Sequence, residues 1–114
     1  MAHWMARVNT AIAARDGGMR VFADERGYIH AFFVWRVEKR HGESELMISQ
    51  LVMAQLGGRN LQDVMAQEML ALAQQYGASA IQVETAHSSA ALRPDVMTRH
   101  GFIHVAPERF IARL

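Results

Sequence analysis

Along the chain the period of the apolar positions changes from helical to alternating, then to helical again. Trp4, Val8, Ala11 and Ile12 recur at helical spacing, which predicts an amphipathic helix over 3–15. "RDGG" would end it, with Gly17 available for a left-handed cap. "MRVFADE" (19–25) and "YIHAFFVWRVEKR" (28–40) then read as strands, the second rich in aromatic and β-branched residues. After the turn "HGES", "ELMISQLVMAQ" (45–55) is apolar on both faces, which predicts a central strand. These three strands form an antiparallel meander.

Helical spacing then returns. Leu61, Met65, Met69, Leu72 and Tyr76 make one stripe across 60–76. Asn60 and Asp63 have the spacing of a capping box, and Gly77 stops the helix. "SAIQVETA" (79–86) alternates as a strand, a short helix is expected around 89–100, and "GFIHVAPERFIARL" closes the chain as one or two strands. A strand–helix–strand connection places 79–86 parallel to 45–55. The fold class is therefore α/β (α+β): a mixed sheet, meander first and parallel unit second, with helices packed on it.

Composition narrows the function. The chain has 114 residues, 51% of them hydrophobic, which suits a single domain over 1–114. A formal net charge of +1 gives no broad basic field, so nucleic acid is not an expected partner. No cysteine is present, which excludes a disulfide framework, a thiolate metal site and a cysteine nucleophile. No apolar run reaches membrane-span length and the N-terminal stretch lacks a signal-peptide core. The expected location is cytoplasmic, without membrane association. His87, His100 and His104 show no metal-ligand spacing, so no metal is expected.

The element order, the stretch "LVMAQLGGRNLQDVMAQEMLALAQQYGASAIQVETA" and the closing "TRHGF" together resemble the GNAT family of N-acetyltransferases. The resemblance spans roughly residues 19 to 106 and implies an acetyl-CoA site. The cofactor would lie along Leu51, Val52 and Met53, with its pyrophosphate at Gly57, Gly58, Arg59 and Asn60. Small loop residues would let the backbone approach the phosphates, and the following helix N-terminus favours an anion.

Three departures from the family pattern stand out. In "QLGGRNL" the two glycines are adjacent, so no register restores the family's Gly-x-Gly spacing. Arg59 can replace backbone approach with a guanidinium, or simply be solvated. The family's Tyr acid, five residues before the closing Phe, is Met97 here, leaving His100 as the nearby titratable group. For the base, Glu38, Glu45, Glu84 and His30 are available; Glu84 flanks the expected crevice. Its alternative reading is an outward polar residue in an alternating strand. Gln50 cannot act as a base, but it interrupts an apolar strand and is expected to hydrogen-bond in the crevice.

The family's first strand also looks absent, which would leave a sheet edge for a protein partner or a second copy to cover. Taken together, the departures favour a non-catalytic binding or structural module with a degenerate acetyl-CoA loop, such as a component of a phage particle. In that case the protein would reside in host cytoplasm or in the assembled particle. The alternative is an active acetyl-CoA-dependent N-acetyltransferase acting on a primary amine of a small molecule or protein.

Overall fold

The computed structural model describes residues 5–9, 17–24, 26–53, 59–85, 92–106 and 109–114. Its elements are β1 (Met5–Asn9), β2 (Gly17–Ala23), β3 (Ile29–Arg40), β4 (Glu43–Met53), α1 (Arg59–Gln75), β5 (Ala80–Glu84), α2 (Pro94–Arg99), β6 (Ile103–Ala106) and β7 (Arg109–Arg113). Seven strands form one sheet in the order β1-β2-β3-β4-β5-β7-β6. The β4–β5 pair is parallel and all the others are antiparallel, as the strand–helix–strand connection requires.

One expected element is different. Residues Met5–Asn9 do not begin a helix over 3–15; they form a strand paired with β2 from Met5↔Ala23 to Asn9↔Met19. The helical stripe drew on Trp4, Ala11 and Ile12, which lie outside that strand. Ladder hydrogen bonds along the otherwise bare side of β2 outweigh a weak periodic signal. The first strand is therefore present, and the chain itself covers the edge assigned to a partner. Among the described residues the sheet ends at β1 and β6. Of the helix expected around 89–100, residues 89–91 lie outside the described residues and the rest is helical only over Pro94–Arg99; the closing segment folds back so that β7, not β6, pairs with β5.

The apolar stripe of α1 makes the core. Leu61, Met65, Ala66, Met69, Leu72 and Ala73 are buried against Phe33, Leu46, Ile48, Leu51, Ile81 and Val83 of the sheet. Both helices end in the same way. After α1, Gly77 (φ 66°) and Ala78 donate their N–H groups to the carbonyls of Gln74 and Ala73. After α2, Gly101 (φ 88°) and Phe102 donate to Thr98 and Met97. This is the Schellman arrangement, whose usual companion is an apolar contact between the residue after the glycine and the helix's last turn. Phe102 and Met97 are both fully buried in the same core cluster, which accounts for "GF" and for an apolar side chain at position 97.

One cation is buried on the α1 side of the sheet. Arg20 of β2 donates its Nε to Glu68 of α1 at 2.9 Å and lies 5.6 Å over the Trp35 ring. Trp35 also packs on Tyr76, with centroids 5.0 Å apart. Removing Glu68 leaves a guanidinium without its counter-charge in the core. Because Glu68 is partly exposed, water relieves some of that cost. Glu68→Ala is expected to destabilise by about 2 kcal/mol in a urea titration, and Arg20→Met with Glu68→Leu should restore most of the loss.

At the β2–β3 turn, Asp24 accepts hydrogen bonds from His30 Nε2 (2.8 Å) and from the N–H groups of Arg26 and Tyr28. The His30 bond, more than the backbone bonds, holds the Asp24 carboxyl below its ordinary value of 3.8 against the opposing effect of burial. A depressed carboxyl stabilises the fold above the unfolded-state pKa, and that contribution disappears as pH falls through the folded-state value. The urea midpoint should therefore drop on acidification below about pH 4, and Asp24→Asn should flatten that limb; an unchanged profile would count against this assignment.

Candidate functional site

The site begins with an extra residue in β4. Val34 pairs with Ser49 but Phe32 pairs with Val52, so β4 uses three steps where β3 uses two. Gln50 absorbs the excess, with a left-handed φ of 48°. The result is visible in burial: Leu46 and Ile48 face the core at even positions, while Leu51 and Met53 face it at odd ones. Gln50 is exposed, so its amide needs no buried partner. The polar pair Ser49–Gln50 inside an apolar strand was the sequence trace of a bulge, not of a buried hydrogen-bonding residue.

At this bulge β4 parts from β5. Their pairing runs from Glu45↔Ala80 to Ile48↔Val83 and stops, and β5 ends one residue later at Glu84. Among the described residues, Ser49–Val52 has no β5 partner, so this side of the backbone is left open to another extended group. The chain then needs only residues 54–58 to reach the start of α1. The N-terminus of α1 therefore lies at the same end of the sheet, and its first N–H groups lack intrahelical acceptors. The first turn carries no acidic side chain to compete for them.

On the face opposite α1, the parting strands frame a cavity of about 40 Å³. Arg36, Met47, Ser49, Gln82, Glu84 and Arg109 line it, along with Ile48 and Val83. It is large enough for an amine head and too small for a whole substrate. A polar chain crosses its wall: Arg109 Nη2 donates to Gln82 Oε1 (3.1 Å), and Gln82 Nε2 donates to Glu45 Oε1 (2.7 Å). Glu84 lies opposite Arg109 in the β5–β7 register, yet the guanidinium turns to Gln82. The exposed Glu84 carboxylate thus has no ion-pair partner among the described residues.

Of the residues singled out from sequence, Glu84 lines this cavity and His100 does not. His100 Nε2 lies 2.7 Å from Asp63 Oδ1, and since a carboxylate only accepts, that nitrogen carries the proton. Asp63 also receives Arg99 at 3.4 Å, so it ties α1 to α2. Leu51 and Met53 direct their side chains into the core, and Val52 is half-buried on the other face; any contact with an extended ligand falls to their backbone. Gly57 and Gly58 lie outside the described residues, as do the side chains of Arg59 and Asn60, the first residues of α1. His30 is held at the β2–β3 turn, Glu38 pairs with Arg36 and Arg40, and Glu45 accepts from Gln82. Sequence reading missed Arg36, Gln82 and Arg109 as site residues. Arg36 was legible only as the one cation among Phe32, Val34 and Arg36 on one strand face, and Arg109 required the β5–β7 register. No group of described residues could hold a metal ion, and no described helix is long and apolar enough to cross a membrane.

No family model matches the sequence, and no curated protein does. Solved structures do. A protein assigned as a phosphinothricin N-acetyltransferase is similar at 16% identity and a TM-score of 0.64, over 89% of this chain and 73% of that one. The GNAT family N-acetyltransferase YhbS from Escherichia coli, in complex with CoA, is similar at 13% identity and a TM-score of 0.63, over 99% of this chain and 82% of that one. A chimera of the spermidine N-acetyltransferase SpeG from Vibrio cholerae and hSSAT is similar at 10% identity and a TM-score of 0.61, over 92% and 70%. The parallel β4–β5 pair within an otherwise antiparallel sheet, with helices on it, is thus the fold of the GNAT N-acetyltransferases.

Proposed function

We propose that this chain binds acetyl-CoA at the open side of β4 and transfers the acetyl group to a primary amine. One observation carries the reading: β4 and β5 part after Ile48↔Val83, beside the N-terminus of α1 and around a carboxylate that has no ion-pair partner among the described residues. The residues fit such a ligand. The backbone of Ser49–Val52, which has no β5 partner among the described residues, suits an extended amide-bearing arm, and the N-terminus of α1 suits a pyrophosphate, for which Gly57, Gly58, Arg59 and Asn60 are the proposed contacts. A structural neighbour in complex with CoA and another, AtaTR, bound with AcCoA support the same ligand class.

When bound, acetyl-CoA supplies a thioester: the amine nitrogen gains the acetyl carbon, the carbon–sulfur bond breaks and its electron pair leaves on sulfur. Glu84 takes the ammonium proton and passes it to solvent, so that the nitrogen lone pair is free to attack, and it then takes the second proton that the nitrogen sheds as the amide forms. The β4 backbone and the cavity walls orient the amine, which supplies most of the acceleration. Met97 is fully buried and carries no proton, so the departing sulfur is left to solvent, which a thiol of pKa about 8.5 tolerates near neutral pH. That same burial favours the second reading, a non-catalytic module such as a particle component built on this fold. The presence of β1 removes the missing first strand from the case for it.

Calorimetry with CoA and acetyl-CoA separates the two. Binding in the micromolar range, weakened about tenfold by Arg59→Ala, is the expected result; no heat at millimolar ligand would assign the chain to the non-catalytic module. Glu84→Gln should lower kcat/KM for an acceptor amine by about 100-fold or more while leaving CoA affinity unchanged. An unaltered rate would remove Glu84 as the base.

A further inference from the structure

Resting on that reading, the geometry points to an acceptor that is a zwitterion, an amine carrying a carboxylate close by, as in an α-amino acid. The cavity gathers charges of both signs from three strands. Glu84 comes from β5, Arg36 from β3 and Arg109 from β7. Opposite charges this near would ordinarily pair with each other, and among the described residues Glu84 pairs with neither guanidinium. Arg109 gives Nη2 to the neutral amide of Gln82, and Arg36 gives Nε to Glu38 on its own strand. Glu84 is left for an ammonium, and both guanidiniums keep N–H groups for a second ligand atom.

Gln82 makes this separation possible. Its Nε2 is fixed by Glu45 at 2.7 Å, which turns its Oε1 toward Arg109 and draws the guanidinium off Glu84. A guanidinium presents a planar fork that fits a carboxylate's two oxygens. A ligand with ammonium and carboxylate on one carbon would place the first on Glu84 and the second between Arg109 and Arg36. A polyamine would bring its second cation against the guanidiniums, which like-charge repulsion disfavours. A simple amine would leave the guanidiniums to water.

The test pairs L-alanine, L-glutamate and L-methionine each with its α-carboxamide, which keeps the amine and removes the carboxylate, and adds spermidine. Binding is followed by NMR titration in the presence of CoA, and turnover by thiol release from acetyl-CoA. At least one amino acid should bind and react 100-fold or more better than its carboxamide and than spermidine. Arg109→Gln and Arg36→Gln should each cut that ratio tenfold or more, through KM, and Arg109→Lys should retain part of it. Amino-acid binding that depends on the carboxylate, without turnover, would uphold the zwitterion site and sink catalysis. Equal binding of acid and carboxamide, preference for spermidine, or binding of none of the probes would overturn the inference.

Discussion

The single extra residue in β4 governs both halves of the molecule. Before it, even positions face α1; after it, odd positions do. Without the bulge, Leu51 and Met53 would turn away from the core, because a shift of one residue exchanges the faces of a strand. The bulge also adds twist and bend to the strand that carries it. The pairing with β5 ends immediately before it, at Ile48↔Val83. Core packing and crevice opening therefore follow from the same backbone event.

Around that event the remaining elements serve as supports. α1 packs on the sheet through its methionine- and leucine-rich stripe, and the partly buried Arg20–Glu68 pair ties its flank to β2. α2 is too short to hold itself in place; Asp63 receives His100 and Arg99, and Gln62 accepts the Arg93 N–H at 2.8 Å. Gln62 and Asp63, early in α1, thus serve α2. α1 starts at Arg59, so Asn60 lies inside the helix and Asp63 is not at the capping-box position its spacing suggested.

The strongly periodic elements were legible in the sequence. The β2–β3–β4 meander, α1 and β5 lie where alternation and helical spacing put them, because each buries one continuous face. Met5–Asn9 was not legible, since five residues give too few repeats to tell a strand from a helical turn and the pairing partner lies 14 or so positions away. The site was legible in part. Glu84 could be picked out at the C-terminal end of a strand next to a topological crossover. Arg36 and Arg109 could not, because they meet only when β3, β4, β5 and β7 are brought side by side in register. His100 looked available for chemistry because nothing local engages it; its partner lies on α1, 37 positions earlier.

The bulge at Gln50 has an evolutionary corollary. Deleting the extra residue would expose two core side chains along with closing the crevice, so selection on folding alone preserves the opening. A descendant that abandoned chemistry would inherit the same split in its sheet. The side chains that line the opening can be exchanged without touching that backbone, so a change of use needs substitutions only at positions such as Arg36, Gln82, Glu84 and Arg109.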